Sequence, residues 1–230
     1  MYRERPSRLG GGAVVWSVRS AAGTGRVLPD GCMDLMWMDG GLVVAGPDTR
    51  AHVFRGRPAT GIVGLRFAPG AGPCVLGVPA DELTDLRVPL ADLWPASARV
   101  RELTERVAAA GDRGAALEAL AAARRAGAGG GEPDGWRQGA VAAMARGLGV
   151  GETARRLGLS ERQLRRRSMA AFGYGPKTLA RVLRMQRALA LARGGTPLAE
   201  VAAVAGYADQ AHLSREVREL AGVPITVLRG

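Results

Sequence analysis

A ten-residue run near the middle of the chain, "AGAGGGEPDG" from Ala126 to Gly135, breaks any single continuous pattern. It carries no apolar periodicity and is mostly glycine, the composition of a linker rather than of a packed element. The 230 residues therefore divide into a part at 1–126, a linker at 127–134 and a part at 135–230. Each flanking part is long enough to bury a core of its own.

The two parts have different textures. Residues 13–67 favour short strands: "AVVWSVRS", then "CMDLMWM" and "LVVAG" on either side of Asp39-Gly40-Gly41, and later "GIVGLRF". Asp-Gly between two apolar runs predicts a hairpin over Cys32 to Ala45. From Gly72 to Ala126 the spacing becomes helical, with Val100, Leu103 and Val107 on one face and Leu117 with Leu120 on another. The expected fold class is an α+β N-terminal domain, a small sheet or barrel followed by helices, joined to an all-α C-terminal domain.

In the C-terminal part the stretch "LGLSERQLRRR", Leu157 to Arg167, places four arginines within six residues just after a glycine turn. Gly158 punctuates the end of one helix, and Ser160 with Gln163 fits a capping box that opens the next. At about 100° per residue, Leu164, Ser168, Ala171 and Phe172 gather on one side of that second helix. Arg162, Arg165 and Arg166 project from the other, with Arg167 at the flank and suited to phosphate. Planar guanidinium forks on a helix held from behind suit the major groove, where arginine bonds guanine edges bidentately.

An isolated basic helix face is most often merely solvated. Here the pattern occurs twice. Thr196 and Pro197 open "LAEVAAVA", Gly206 makes a turn, and "ADQAHLSREVREL" follows as another helix. Leu213, Val217 and Leu220 form its core side, Ala211 and Arg215 point away, and Gln210, His212, Ser214 and Arg218 complete the exposed set. Aligning Leu213 with Leu164 brings Arg215 onto Arg166. "TLARVLRMQRALALAR" is long enough to be a rigid helix between the two units.

Charge agrees with this placement. The net charge is +11, and residues 128–230 carry sixteen bases against eight acids, while residues 1–127 carry sixteen against thirteen. The excess sits where double-stranded DNA would bind.

Other classes find little support. No run of about 18 apolar residues exists, and Ala13 to Val18 is too short for a signal peptide or membrane span, so a cytoplasmic location away from membranes is expected. Two cysteines, Cys32 and Cys74, make neither a disulfide framework nor a four-thiolate zinc site. The two histidines, His52 and His212, are far apart, and there is no glycine-rich phosphate loop or nucleophile elbow. No enzyme activity, catalytic set, metal or cofactor is expected. The alternative reading is an enzyme or protein-interaction domain at the N-terminus fused to a DNA-binding domain.

Within the N-terminal part, Asp34 is a charge inside an apolar strand, as is Arg66 in "GLRF". Each needs a buried partner, and the simplest arrangement pairs the two; with Trp37 they are also the candidate ligand-binding residues. If they pair, replacing Asp34 by asparagine would cost several kcal/mol, on the order expected for orphaning a buried charge.

Residues from about 136 to 230 resemble the tandem helix-turn-helix DNA-binding domain of AraC/XylS-type transcriptional regulators. The match is carried by "VAAVAGYADQAHLSREVRELAGVPITVLR", with its Gly206-Tyr207 turn, the His212 segment, Arg215, Gly222-Val223-Pro224 and a closing Arg229, and by "FGYGPKTLARVLRMQRALALAR". The resemblance implies that each second helix enters a major-groove segment on one face of DNA, and that the protein acts on RNA polymerase, as an activator or by blocking it. Ser168 and Val217 stand where that family usually has phenylalanine, which implies looser packing of both second helices. The N-terminal part resembles an uncharacterised domain found ahead of this unit, through "LPDGCMDL", "AGPDT" and "LRFAPG". That resemblance implies sensing of a small-molecule or protein effector, or homodimer formation.

Overall fold

The computed structural model describes residues 2–19, 23–56, 61–94, 97–127 and 135–229. Its N-terminal part contains β1 (Tyr2–Pro6), β2 (Val14–Arg19), β3 (Gly23–Val27), β4 (Met33–Met38), β5 (Gly41–Ala45), β6 (His52–Gly56) and β7 (Gly61–Phe67). There follow α1 (Gly72–Leu76), a 3-10 turn at Ala80–Leu83, β8 (Arg87–Pro89), α2 (Leu90–Leu93), α3 (Ser97–Ala109) and α4 (Arg113–Gly127). Six strands form an antiparallel sheet in the order β1-β2-β7-β4-β5-β8, and β3 pairs with β6 in a separate ribbon.

The expected hairpin is β4–β5, with Met38 opposite Gly41 across the two-residue turn Asp39-Gly40. Both turn residues have positive φ, 49° and 80°, which matches the strand twist. Strand alternation sends Val15, Leu35, Val44, Leu65 and Phe67 to one face of the sheet. There they pack with Leu76, Val100, Val107, Leu117 and Leu120 of the helices. Edge strand β1 is anchored through Glu118 of α4, which accepts from Arg5, from Ser7 Oγ at 2.8 Å and from Arg8 N–H at 2.7 Å. The Arg5 hydrogen bonds are the main reason that carboxyl lies at about 2.

The C-terminal part contains α5 (Gly135–Ala145), α6 (Val150–Arg156), α7 (Glu161–Phe172), α8 (Pro176–Arg193), α9 (Leu198–Ala205), α10 (Gln210–Ala221) and a 3-10 turn at Ile225–Leu228. The tight turns between α6 and α7 and between α9 and α10 pass through Gly158 and Gly206, both left-handed, at φ 66° and 86°. Helix α9 starts one residue later than the sequence indicates: Pro197, not Thr196, occupies the N-cap, and no side chain caps it. The expected linker falls between Gly127, which ends α4, and Gly135, which begins α5; residues 128–134 lie outside the described residues.

Helix α8 belongs to two cores. Leu179 and Val182 pack with Leu164, Phe172, Ala140 and Met144 of the first unit, while Met185, Ala188, Leu189 and Ala192 pack with Val201, Leu213, Val217 and Leu220 of the second.

The N-terminal part is seated against both units. Thr84 Oγ1 donates to the carbonyl of Gly173, the C-cap of α7, at 2.8 Å. Ala51 N–H donates to Leu220 O at 2.7 Å and the Arg26 guanidinium to Ala221 O at 2.6 Å, both at the end of α10. Gln186 Nε2 of α8 donates to Pro29 O at 2.6 Å, and Leu28 packs against the second core. The last carbonyls of a helix lack intrahelical donors, so the bonds to Gly173, Leu220 and Ala221 satisfy groups that would otherwise need water.

Candidate nucleic-acid interface

Helices α7 and α10 each have one face fully occupied by packing. Leu164, Ser168 and Phe172 are at 0% exposure, as are Leu213 and Val217. With those faces fixed, the opposite faces are set. Arg162, Arg165 and Arg166 are exposed on α7, and Gln210, Ala211, Ser214, Arg215 and Arg218 are exposed on α10. Each helix can therefore offer a row of donors to a groove while its core side holds it in place.

The start of α7 is a complete capping box. Ser160 Oγ accepts from Gln163 N–H at 3.2 Å, and Gln163 Oε1 accepts from Ser160 N–H at 2.8 Å. Ser160 and Gln163, which we also expect among the DNA contacts, are exposed, and their side chains hold the first turn of the helix. At α10 the cap is Asp209, whose carboxylate accepts from His212 N–H at 2.6 Å. The His212 ring packs edge-on against Tyr207 with centroids 5.2 Å apart, and its Nδ1 accepts from Ala208 N–H at 3.3 Å. Ser214 Oγ donates back to Gln210 O at 2.8 Å. Arg167 departs from the rest of its cluster. It is half-buried, with its guanidinium carbon 5.7 Å from the centroid of the Trp136 ring, on the side of α7 that meets the N-terminal part.

An ion-pair group absent from the sequence reading holds α10 to α8. Glu216, 6% exposed, accepts from Arg184 at 2.6 and 2.8 Å and from Arg181 Nε at 3.0 Å. Burial works to raise this carboxyl, and the hydrogen bonds from Arg184 and Arg181 outweigh it and hold the group below its ordinary value. Arg184 also lies 4.7 Å from the Tyr207 ring centroid, so it joins the turn, the second helix and the connecting helix. The sequence signal was available in the pairing of two arginines three apart in α8 with an acid on the buried side of α10. That signal needs the fold to be read, because the partners are more than thirty residues apart.

The candidate ligand residues do not form one constellation. Arg66 Nε lies 3.5 Å from both Asp34 Oδ1 and Asp30 Oδ2, and Trp16 Nε1 donates to Asp34 Oδ1 at 2.5 Å. Burial, opposed by Arg66, lifts Asp34 to about 6. Trp37 sits on the other face of β4, in the core, beneath the Arg113 guanidinium at 5.5 Å. The expected Asp34–Arg66 pair is thus part of a cluster of two carboxylates, one guanidinium and one indole, with Asp30 as an added acid and Trp16 as an added donor. Among the described residues, no cluster of histidine, cysteine or acid side chains could hold a metal ion, and no helix is long and apolar enough to cross a membrane.

Comparison with known proteins finds family matches over two separate stretches. The helix-turn-helix domain family matches residues 153–230, and a domain of unknown function, DUF6597, matches residues 13–89. Solved structures of ToxT from Vibrio cholerae are similar to this chain. The O395 protein bound to (E)-4-(8-methylnaphthalen-1-yl)but-3-enoic acid aligns over 99% of each chain at 10% identity, with a TM-score of 0.50. Another O395 structure covers 100% of this chain and 98% of that chain at 10% identity and 0.49. The unsaturated fatty acid bound protein of strain SCE256 covers 94% of each at 10% identity and 0.45. No curated protein matches the chain. The likeness is one of fold: a β-rich N-terminal part ahead of a helical C-terminal part.

Proposed function

We propose that this chain is a DNA-binding regulator of the AraC type, which the helix-turn-helix match over residues 153–230 supports, and that it reads a bipartite target through α7 and α10. The observation that carries this reading is the pair of helices with buried inner faces and exposed Arg162, Arg165 and Arg166 on one, Arg215 and Arg218 on the other. Arginines at phosphates supply salt-dependent affinity, and outward side chains in the groove supply discrimination.

The N-terminal part controls this reading in response to an effector. Its hydrogen bonds to the ends of α7 and α10 support that role, because a change there is felt by both helices at once. That ToxT has been solved bound to (E)-4-(8-methylnaphthalen-1-yl)but-3-enoic acid makes a small organic acid the first effector class to test here. The protein works in the cytoplasm, without an enzymatic activity of its own, and acts on RNA polymerase as an activator; homodimer formation would pair two such readers on one site. The same reading divides the chain at 127–134, with residues 135–230 as the DNA-binding unit. The two C-terminal cores, drawn almost wholly from that range, support this division.

Selection of binding sites from random duplexes by the full chain tests the proposal. Two conserved blocks about one helical turn apart are expected, on the order of 34 Å. With roughly six phosphates contacted, log affinity should fall with log salt at a slope of about −5. No enriched sequence, or affinity indifferent to salt, would remove DNA reading as the function.

A further inference from the structure

Helices α7 and α10 are built on the same frame. Each runs for 12 residues from a polar N-cap, Ser160 or Asp209, to a left-handed glycine, Gly173 or Gly222, and each N-cap side chain accepts from the backbone N–H three residues on. The C-cap bonds match as well, Gly173 N–H to Met169 O and Gly222 N–H to Arg218 O, both at 2.9 Å. A constant offset of 49 residues from cap to cap therefore superposes the helices position by position. It brings Leu164 onto Leu213 and Ser168 onto Val217, all four fully buried. With the inner faces in register, any difference in what the helices bind comes from the outward side chains.

Opposite the buried leucine, each helix has two central outward positions one turn apart. One holds arginine in both helices, Arg166 and Arg215. The other holds Arg162 in α7 and Ala211 in α10, and all four residues are exposed. No hydrogen bond or ion pair engages the three guanidiniums among the described residues, so their donors are open to a base edge. Arginine bonds the O6 and N7 acceptors of guanine bidentately, whereas the alanine methyl offers apolar contact, which suits the C5-methyl of thymine. A guanine facing that methyl would lose water from both acceptors and gain no donor in return. Four residues of helix advance about 6 Å, and base pairs stack about 3.4 Å apart, so the two bases read by one helix lie about two steps from each other.

Resting on the reading of α7 and α10 given above, we propose that the DNA target has two chemically unequal halves. The half under α7 carries two guanines about two base steps apart, facing Arg162 and Arg166. The half under α10 carries one guanine, facing Arg215, and has a thymine against Ala211 where the first half has its other guanine. The inequality fixes the register of the chain on its site. Slid along by one half, α7 would set Arg162 against the thymine, which lacks the paired acceptors of guanine, and one bidentate contact would be lost. Ala211 is therefore a specificity-determining residue although it carries neither charge nor donor.

Site selection from random duplexes is carried out with the full natural chain, with Ala211→Arg and with the exchanged pair Arg162→Ala/Ala211→Arg. Both positions are exposed, and melting curves verify that the variants are folded. The natural chain should enrich two guanines in one half and guanine with thymine in the other. Ala211→Arg should turn that thymine into guanine and leave the first half as it was, and the exchanged pair should swap the two halves. A second measurement needs no variant. On the selected duplex, uracil in place of the thymine removes only the methyl and should weaken binding by the natural chain about fourfold, the worth of one buried carbon. Replacing the guanine under Arg162 with 7-deazaguanine removes N7 and should weaken binding about tenfold. Two halves of the same composition, a thymine retained by folded Ala211→Arg, or uracil bound as tightly as thymine would each overturn the proposal. In those three cases two enriched halves bound in a salt-dependent way still uphold the reading of α7 and α10, whereas the absence of any enriched sequence removes that reading and the proposal with it.

Discussion

The Arg26 guanidinium donates to the carbonyl of Ala221 at 2.6 Å, so a side chain from the β3–β6 ribbon closes the last turn of α10. A cation at a helix C-terminus meets both an unpaired carbonyl and the negative end of the helix dipole. Replacing Arg26 with alanine should destabilise the chain by about 1 to 2 kcal/mol, the range for a partly exposed charged hydrogen bond. Denaturant melts would measure it. Because the contact orients α10 rather than touching bases, its loss should weaken DNA binding without altering the preferred sequence. A changed preference in site selection would contradict that division of roles.

The exposed arginines of α7 are not equivalent to Arg167. Arg162→Ala or Arg166→Ala should each cost about 1 to 3 kcal/mol on the selected target and relax preference within one block of it. Arg215→Ala should relax preference in the other block. Arg167, drawn over Trp136, should leave sequence preference unchanged when replaced by alanine. Quantitative selection with the four variants decides between these outcomes, and equal effects of Arg166→Ala and Arg167→Ala on preference would refute the assignment.

Ser168 is fully buried in the core of the first unit, and its hydroxyl has no hydrogen-bond partner among the described residues. At the matching place in the second unit stands Val217. An orphan hydroxyl in an apolar core costs about 1 to 3 kcal/mol, and alanine also favours a helix interior more than serine does. Ser168→Ala should therefore raise stability by about 1 kcal/mol and raise Tm. A lowered Tm would mean the hydroxyl has a partner that its removal orphans.

Asp34 makes the N-terminal part sensitive to pH. Its folded value of about 6 lies above the ordinary carboxylate value, so the native state holds the proton more tightly than the unfolded chain does. The associated stabilisation is complete below about pH 4 and is lost as pH rises through about 6. Asp34→Asn should flatten stability over that window, as measured by urea melts at several pH values. The substitution should cost only about 1 kcal/mol, rather than the several expected from orphaning a buried arginine, since Asp30 remains 3.5 Å from Arg66. An unchanged pH slope would show that another group titrates there.

Local signals were enough for elements whose residues name their own neighbours. Asp39-Gly40 announced a two-residue hairpin, and Ser160 with Gln163 announced the start of α7, because a turn and a cap are decided within four residues. Strands β1, β3, β6 and β8 were missed. "YRERP" and "GTGRV" have no apolar alternation, and β8 is three residues that are extended because β5 offers them a ladder. The outward faces of α7 and α10 followed from helical periodicity, whereas the placement of Arg167 did not. Its environment is made by Trp136 and by the N-terminal part, and only the folded chain brings these together. The same holds for Glu216, which looked like one more surface acid until α8 placed Arg181 and Arg184 around it.

Helix α8 sends Leu179 and Val182 into one core and Met185 and Leu189 into the next, within little more than three turns. A single residue inserted between Val182 and Met185 would swing one unit about 100° around the helix axis relative to the other and displace it by about 1.5 Å. Small insertions and deletions at this point cannot adjust the gap between the two halves of an operator; they take the halves out of phase. The spacing of any operator is thereby tied to the pitch of one helix. A lineage can exchange the letters it reads by changing single surface side chains, but it inherits the interval between them whole.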